Sequence, residues 1–358
     1  MSARSPSSLA RLLTSAPAGV AALGRLEVTQ RRDVPWFEWP RDCDPAAVRR
    51  AAASVATMGY GELLDLAVDA AEYFAGPWSG QALLALPALY EQAPRRRAIA
   101  EAVAERFGPE LYRGADLGAQ QWWHQPPHDP PYRPAPCFTD FSHVYGNGEF
   151  TYGGLWTVTD PPREVHDALT SACDYTGRPT SRWLLRIRPE ARVWDIDAPE
   201  DWVRLVERYP TVATRPHAGW ELWAPHQHPS DTERLRTIPT QHALRVEPAV
   251  HVIPDWERVA ADFDGVHLSW AGFLSTEGYV SELPDERVTM LRYWGSERTL
   301  WLRDVVDELE PLTAPALNGA TSDGEGVDAS RDDERRASDL TTLRQLLGRS
   351  DEGSSTPA

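Results

Sequence analysis

The chain of 358 residues contains no lysine, so all 36 of its formal positive charges are arginine. That absence excludes a P-loop lysine, a Schiff-base lysine and a lysine general base together. Cysteine is nearly absent too. Cys43, Cys137 and Cys173 are odd in number and far apart, which gives neither a disulfide framework nor a CxxC metal knuckle. No apolar run approaches the roughly 18 residues of a membrane span, so no membrane association is expected. The apolar stretch near the N-terminus is broken by Arg11, Thr14 and Pro17 and has no clean cleavage site, which points to the cytoplasm. Basic surface is also lacking: the net charge of −17 argues against a non-specific binder of nucleic acid or anionic lipid. HExxH, GxSxG, GxGxxG and Walker motifs are all missing, which removes the usual hydrolase, dehydrogenase and kinase readings.

What is present divides along the chain. Residues 1–44 are small and polar and are expected to be partly disordered. Residues 45–110 read as helical. In GELLDLAVDAAEYF the apolar positions Leu63, Leu64, Ala67, Ala70, Ala71 and Phe74 keep the helical period, and Ile99, Val103 and Phe107 form an i, i+4 stripe that Gly108-Pro109 should end. From residue 111 to 312 the texture is β-rich. LYRG (111–114), CFTDFS, WLLRIR (183–188), RVWDID, GVHLSW, RVTMLRY and TLWL are strand candidates, and PEDWVRLVERYP and DWERVAADF are short helices. Residues 211–254, rich in Pro, His and Thr, read as a long insertion. Residues 313–358 hold no aromatic residue and read as a disordered acidic tail, able to engage a partner protein. The whole is expected to be α+β, with a helical N-terminal region packed on a β-rich domain.

Candidate sites are few. His226 and His228 form an HxH, but proline flanks it and no third ligand has defined spacing, so no metal is expected and a zinc-dependent hydrolase ranks last. Most of the 15 tryptophans read as packing; Trp156, beside Gly153-Gly154, is set apart as a stacking candidate. Four further places occur in order: Arg113-Gly114 after a helix, Thr139 and Ser142 in FTDFS, the strand pair Leu184–Ile196 around a Pro-Glu turn, and Glu297 at the mouth of an apolar strand.

This order resembles the mono-ADP-ribosyltransferase fold in its arginine–serine–glutamate branch, over about residues 95–303. The resemblance implies a split, mainly antiparallel β-sandwich that takes NAD as substrate and transfers or hydrolyses its ADP-ribose. Arg113 and Gly114 would hold the pyrophosphate, Thr139 and Ser142 would orient the nucleotide, and Tyr152 or Trp156 would stack on nicotinamide. Glu297 would face the oxocarbenium-like transition state, as carboxylates do in glycoside cleavage. The chain departs from the pattern in two places. Thr-Asp-Phe-Ser replaces the Ser-Thr-Ser element, and Gly295 stands two residues before the glutamate, where the family's partner residue sits. Ser275-Thr276-Glu277 is a competing placement of the catalytic glutamate. The acceptor stays open among protein, nucleic acid and small molecule. The rival reading is a non-catalytic interaction module with a Trp-rich β core.

Overall fold

The computed structural model describes residues 5–33, 42–75, 88–124, 155–159, 181–212, 250–291, 294 and 296–312. The stretch expected to be disordered at the N-terminus instead contains two buried helices, α1 (Pro6–Leu13) and α2 (Pro17–Val28). Proline causes this rather than preventing it. Pro6 and Pro17 each sit in the first turn, where a missing N–H costs nothing, and the Ser5 side chain accepts from Ser8 N. The small residues of α2 let it pack closely: a Cβ on Gly19 would fall 2.5 Å from the Leu13 carbonyl oxygen and 2.7 Å from that of Leu274.

The expected helical region is found as α3 (Pro45–Val55), α4 (Tyr60–Ala75) and α5 (Arg97–Leu111), the last preceded by a 3-10 turn at Ala93–Arg96. Leu63, Leu64, Ala67, Ala70, Ile99, Val103 and Phe107 are all buried. Pro109 does not stop α5. It lies inside the helix, where its missing N–H forfeits the hydrogen bond to the Glu105 carbonyl, yet the helix runs on to Leu111, and LYRG is a helix end and loop, not a strand.

Seven strands form one sheet: β1 (Gln120–His124), β2 (Leu155–Thr159), β3 (Ser181–Ile187), β4 (Val193–Ile196), β7 (Gly265–Leu268), β10 (Arg298–Trp301) and β11 (Val306–Leu312), in the order β11-β3-β1-β2-β10-β7-β4. Four form a second: β5 (Pro210–Val212), β6 (Val250–Pro254), β8 (Val280–Leu283) and β9 (Arg287–Met290), in the order β5-β6-β9-β8. The protein is therefore α+β. Pairing is antiparallel except for β4 with β7 and β6 with β9. β5 and β6, at the two ends of the expected insertion, pair with each other; residues 213–249 between them, and the expected tail from 313, lie outside the described residues. Helices α6 (Pro199–Arg208), α7 (Trp256–Asp262) and α8 (Trp270–Thr276) complete the fold. As the sequence implies, α6 buries Trp202, Leu205 and Val206.

β3 and β4 are consecutive, yet they do not pair with each other: β3 lies between β11 and β1, and β4 pairs with β7. In a flat sheet they would stand ~24 Å apart, while the connection from Ile187 to Val193 reaches only ~21 Å. The sheet must bend. Among the described residues β1 and β2 share two residue pairs, Gln120 with Thr159 and Gln121 with Val158, the shortest ladder within this sheet. The two parts fold towards each other over a small apolar cluster drawn from both: Leu155 and Trp301 on one side, Leu185, Ile187 and Val306 on the other. The outer face of the part β2-β10-β7-β4 carries Val158, Leu300, Val266, Leu268 and Ile196, and these join the large core shared with the N-terminal helices and α6–α8.

Candidate functional site

Strand alternation writes the site onto the inner face of β2, β10, β7 and β4. At one end of that face, Leu155 and Trp301 belong to the apolar cluster. At the other end the same face turns polar. Thr157, Thr159, Glu297, Thr299, His267 and Asp195 project from neighbouring strands, with Gln120 added from β1. The register fixes the row: Thr299 is opposite Thr157 on one side and His267 on the other, and His267 is opposite Asp195. His267 and Thr299 are completely buried and Glu297 has 4 % of its surface exposed, while Thr159 and Asp195 are half-buried.

A continuous set of hydrogen bonds satisfies most of them. Trp301 Nε1 donates to Thr157 Oγ1 over 2.8 Å, and Thr157 donates to Gln120 Oε1. Gln120 Nε2 donates to the Asp116 carbonyl at 2.9 Å and to Thr159 Oγ1 at 3.4 Å. Thr159 Oγ1 donates to Glu297 Oε1 at 2.9 Å, and its N–H lies 3.2 Å from both carboxylate oxygens. His267 closes the line, with Nε2 3.0 Å from Glu297 Oε1 and Nδ1 3.0 Å from Asp195 Oδ1. Among the described residues Glu297 Oε1 thus has three donors, while Oε2 has only a share of the Thr159 N–H. Thr299 Oγ1 is buried without a hydrogen-bond partner among the described residues.

Burial alone would push the His267 imidazolium towards deprotonation. The hydrogen bonds and negative charges of Asp195 and Glu297 outweigh it and raise the pKa to about 9. Both ring nitrogens then carry protons and donate, one to each carboxylate. Asp197, two residues past Asp195, has its carboxyl pKa raised. Burial is the main cause, opposed by the Ser269 hydroxyl and reinforced by Asp195 and Asp201.

The N-terminal helices reach this end of the sheet. Gly114, just past α5, lies over Asp195: a Cβ there would be 3.6 Å from Asp195 Oδ1. Tyr60, the first residue of α4, feels Glu297 and Arg113 together. Burial raises its hydroxyl pKa most; the Glu297 charge raises it further and the exposed Arg113 opposes. Arg113, Gly114 and Glu297, singled out from segments far apart in the chain, are therefore gathered around one polar end.

Trp156 and Glu277 are not part of it. Trp156 faces the opposite side of β2 from Thr157 and Thr159, packs edge-on against Trp294 at 4.9 Å and adjoins the large core. Alternation along the strand removes it as a stacking platform over Glu297. Glu277 ends α8; it is 1 % exposed and its carboxylate accepts the Trp294 N–H at 3.3 Å. Ser275 donates back to the Ala271 carbonyl at 2.6 Å, so that stretch is a buried helix rather than a strand-borne motif. Thr139, Ser142 and Tyr152, and likewise His226, His228 and Gly295, lie outside the described residues.

Sequence reasoning missed His267, Asp195, Thr159 and Gln120. The one available signal for His267 was alternation in GVHLSW, where Val266 and Leu268 claim the apolar face and leave His267 the other. Among the described residues no helix is long and apolar enough to cross a membrane. No family model matches the chain, and neither a curated protein nor a solved structure shows significant similarity to it.

Proposed function

We propose that the polar end of the inner face cleaves the nicotinamide–ribose bond of NAD and passes ADP-ribose to water or to an acceptor, with Glu297 as the catalytic carboxylate. One observation carries the reading. Glu297 is the glutamate that the order of motifs singled out, and it is also the buried carboxylate at which Thr159 and His267 converge, with Oε2 left for a further donor.

In this reading Oε2 accepts the ribose 2′-OH, and the carboxylate faces the positive charge that develops as the C1′–N bond breaks. The bonding electrons leave with nicotinamide, which departs neutral. Water or the acceptor adds to C1′ and releases one proton. Arg113 clamps the pyrophosphate from the exposed end of α5, a task suited to a planar guanidinium, and Gly114 leaves room beside Asp195. The acceptor is a protein, a nucleic acid, a small molecule or water itself.

The test is direct: purified full-length protein is incubated with NAD and free nicotinamide is measured. Release that disappears in Glu297→Gln supports the reading. Absence of release, together with no NAD-dependent thermal shift, removes it.

A further inference from the structure

The buried imidazole stands between two carboxylates that come from different strands. Asp195 is on β4, His267 on β7 and Glu297 just before β10, and both N···O distances are 3.0 Å. The imidazole is wholly buried, while the Asp195 side chain is 27 % exposed beneath the Gly114 backbone. We propose that Asp195 and His267 are positioning residues: as a charged bridge they hold Glu297 in one orientation, tie it to the Arg113-Gly114 segment, and keep its Oε2 for substrate. The role assigned to Oε2 rests on the function proposed above; the bridge itself does not.

The geometry favours this role over proton transfer. Both ring nitrogens are committed to carboxylates, so His267 has no free edge for a reacting group. An imidazolium between two carboxylates leaves one net negative charge. That charge matches the single positive charge of a pyridinium glycoside and of the oxocarbenium that follows it. Removing the proton would leave one carboxylate without its donor and release Glu297 from half of its restraint. Among the described residues the charged and titratable groups around the ring are Asp195 on β4, Asp197 just past it and Glu297 just before β10, with Tyr60 at the start of α4 and Arg113 just past α5 bearing on the bridge or its partners.

The experiment uses the full chain and two readouts. The first is the NMR titration of the histidine ring protons, with His267 identified by its absence in His267→Gln. A midpoint near 9 is expected in the wild type, lowered in Asp195→Asn and again in Glu297→Gln. The second is nicotinamide release against pH. Asp195→Asn should lower kcat on the order of tenfold to a hundredfold with KM for NAD unchanged, since only orientation is lost. Wild-type kcat should fall above about pH 9, and His267→Gln should lack that limb. A wild-type midpoint at or below the ordinary histidine value overturns the bridge, as does an Asp195→Asn variant with wild-type kcat. A midpoint near 9 with no nicotinamide released keeps the bridge and removes the NAD reading. Asp195 is partly exposed, so its variant remains informative where His267→Gln fails to fold.

Discussion

His267 Nε2 lies 3.0 Å from Glu297 Oε1, although 30 residues separate them in the chain. Strand pairing between β7 and β10 makes them neighbours, and the fully buried ring is left with a carboxylate at either nitrogen.

That arrangement sets a pH dependence of stability. The folded pKa of His267, about 9, exceeds its unfolded value of 6.5, so its contribution is fully present below pH 6.5 and is lost as pH rises through 9. The contribution is about 3 kcal/mol at most. Urea unfolding at pH 6 and pH 10 should show a loss of this order in the wild type and a much smaller one in His267→Gln. Equal slopes in the two proteins would refute it.

The two candidate glutamates should separate by assay. Glu297→Gln removes charge needed only in the transition state, so turnover should drop roughly a hundredfold or more with NAD affinity within a few fold. Glu277→Gln touches the carboxylate that receives the Trp294 N–H, and should lower Tm while leaving turnover within a few fold. The reverse pattern would move the catalytic assignment to Glu277.

Gly272 on α8 has a demand set by contact. A Cβ there would overlap the carbonyl oxygen of Ile196 and lie 2.9 Å from Leu268 Cδ1. The obstructing oxygen is main chain of β4, next to Asp195, and cannot swing away. Gly272→Ala should cost about 3 kcal/mol or more, read as a fall in the denaturation midpoint. A variant of wild-type stability would mean that the helix moves freely off the strand.

Far from the site, Arg96 and Glu27 form a buried ion pair at 2.7 Å, both side chains fully covered. Glu27 also accepts the Asp44 N–H at 2.8 Å, joining α2 to the start of α3. Arg96→Met leaves the buried Glu27 carboxylate with the more distant Arg31 guanidinium, at 3.6 Å, and should destabilise by about 3 kcal/mol. The double variant with Glu27→Leu should recover part of that loss; no recovery would mean that the Asp44 contact, not the ion pair, carries the energy.

Much of the architecture was legible. Leu63, Leu64 and Ala67, and Ile99, Val103 and Phe107, kept helical spacing because one face of each helix had to be buried. The N-terminal helices are not legible from a small, polar composition, and Pro17, which interrupts the apolar stretch, opens α2. LYRG was misread because a β-like composition at a helix end carries no sign of the preceding turn. The strand pair around Pro189 was legible as two strands, but their separation in the sheet was not, because turn residues specify a bend without specifying partners.

The sequence by itself determined α4 to α7 and the strands β3, β4, β7, β9 and β10, whose periodicity is local, and it marked Arg113 and Glu297 as candidate chemistry. It also excluded lysine chemistry outright. Only the tertiary structure decided that Asp195, His267, Thr159 and Glu297 meet, since their spacing is set by which strands pair and in which register. It decided too that Trp156 faces away, because one step along a strand reverses a side chain. A charged histidine between two carboxylates exists only where burial and long-range pairing coincide, and neither is written in any single stretch of the chain.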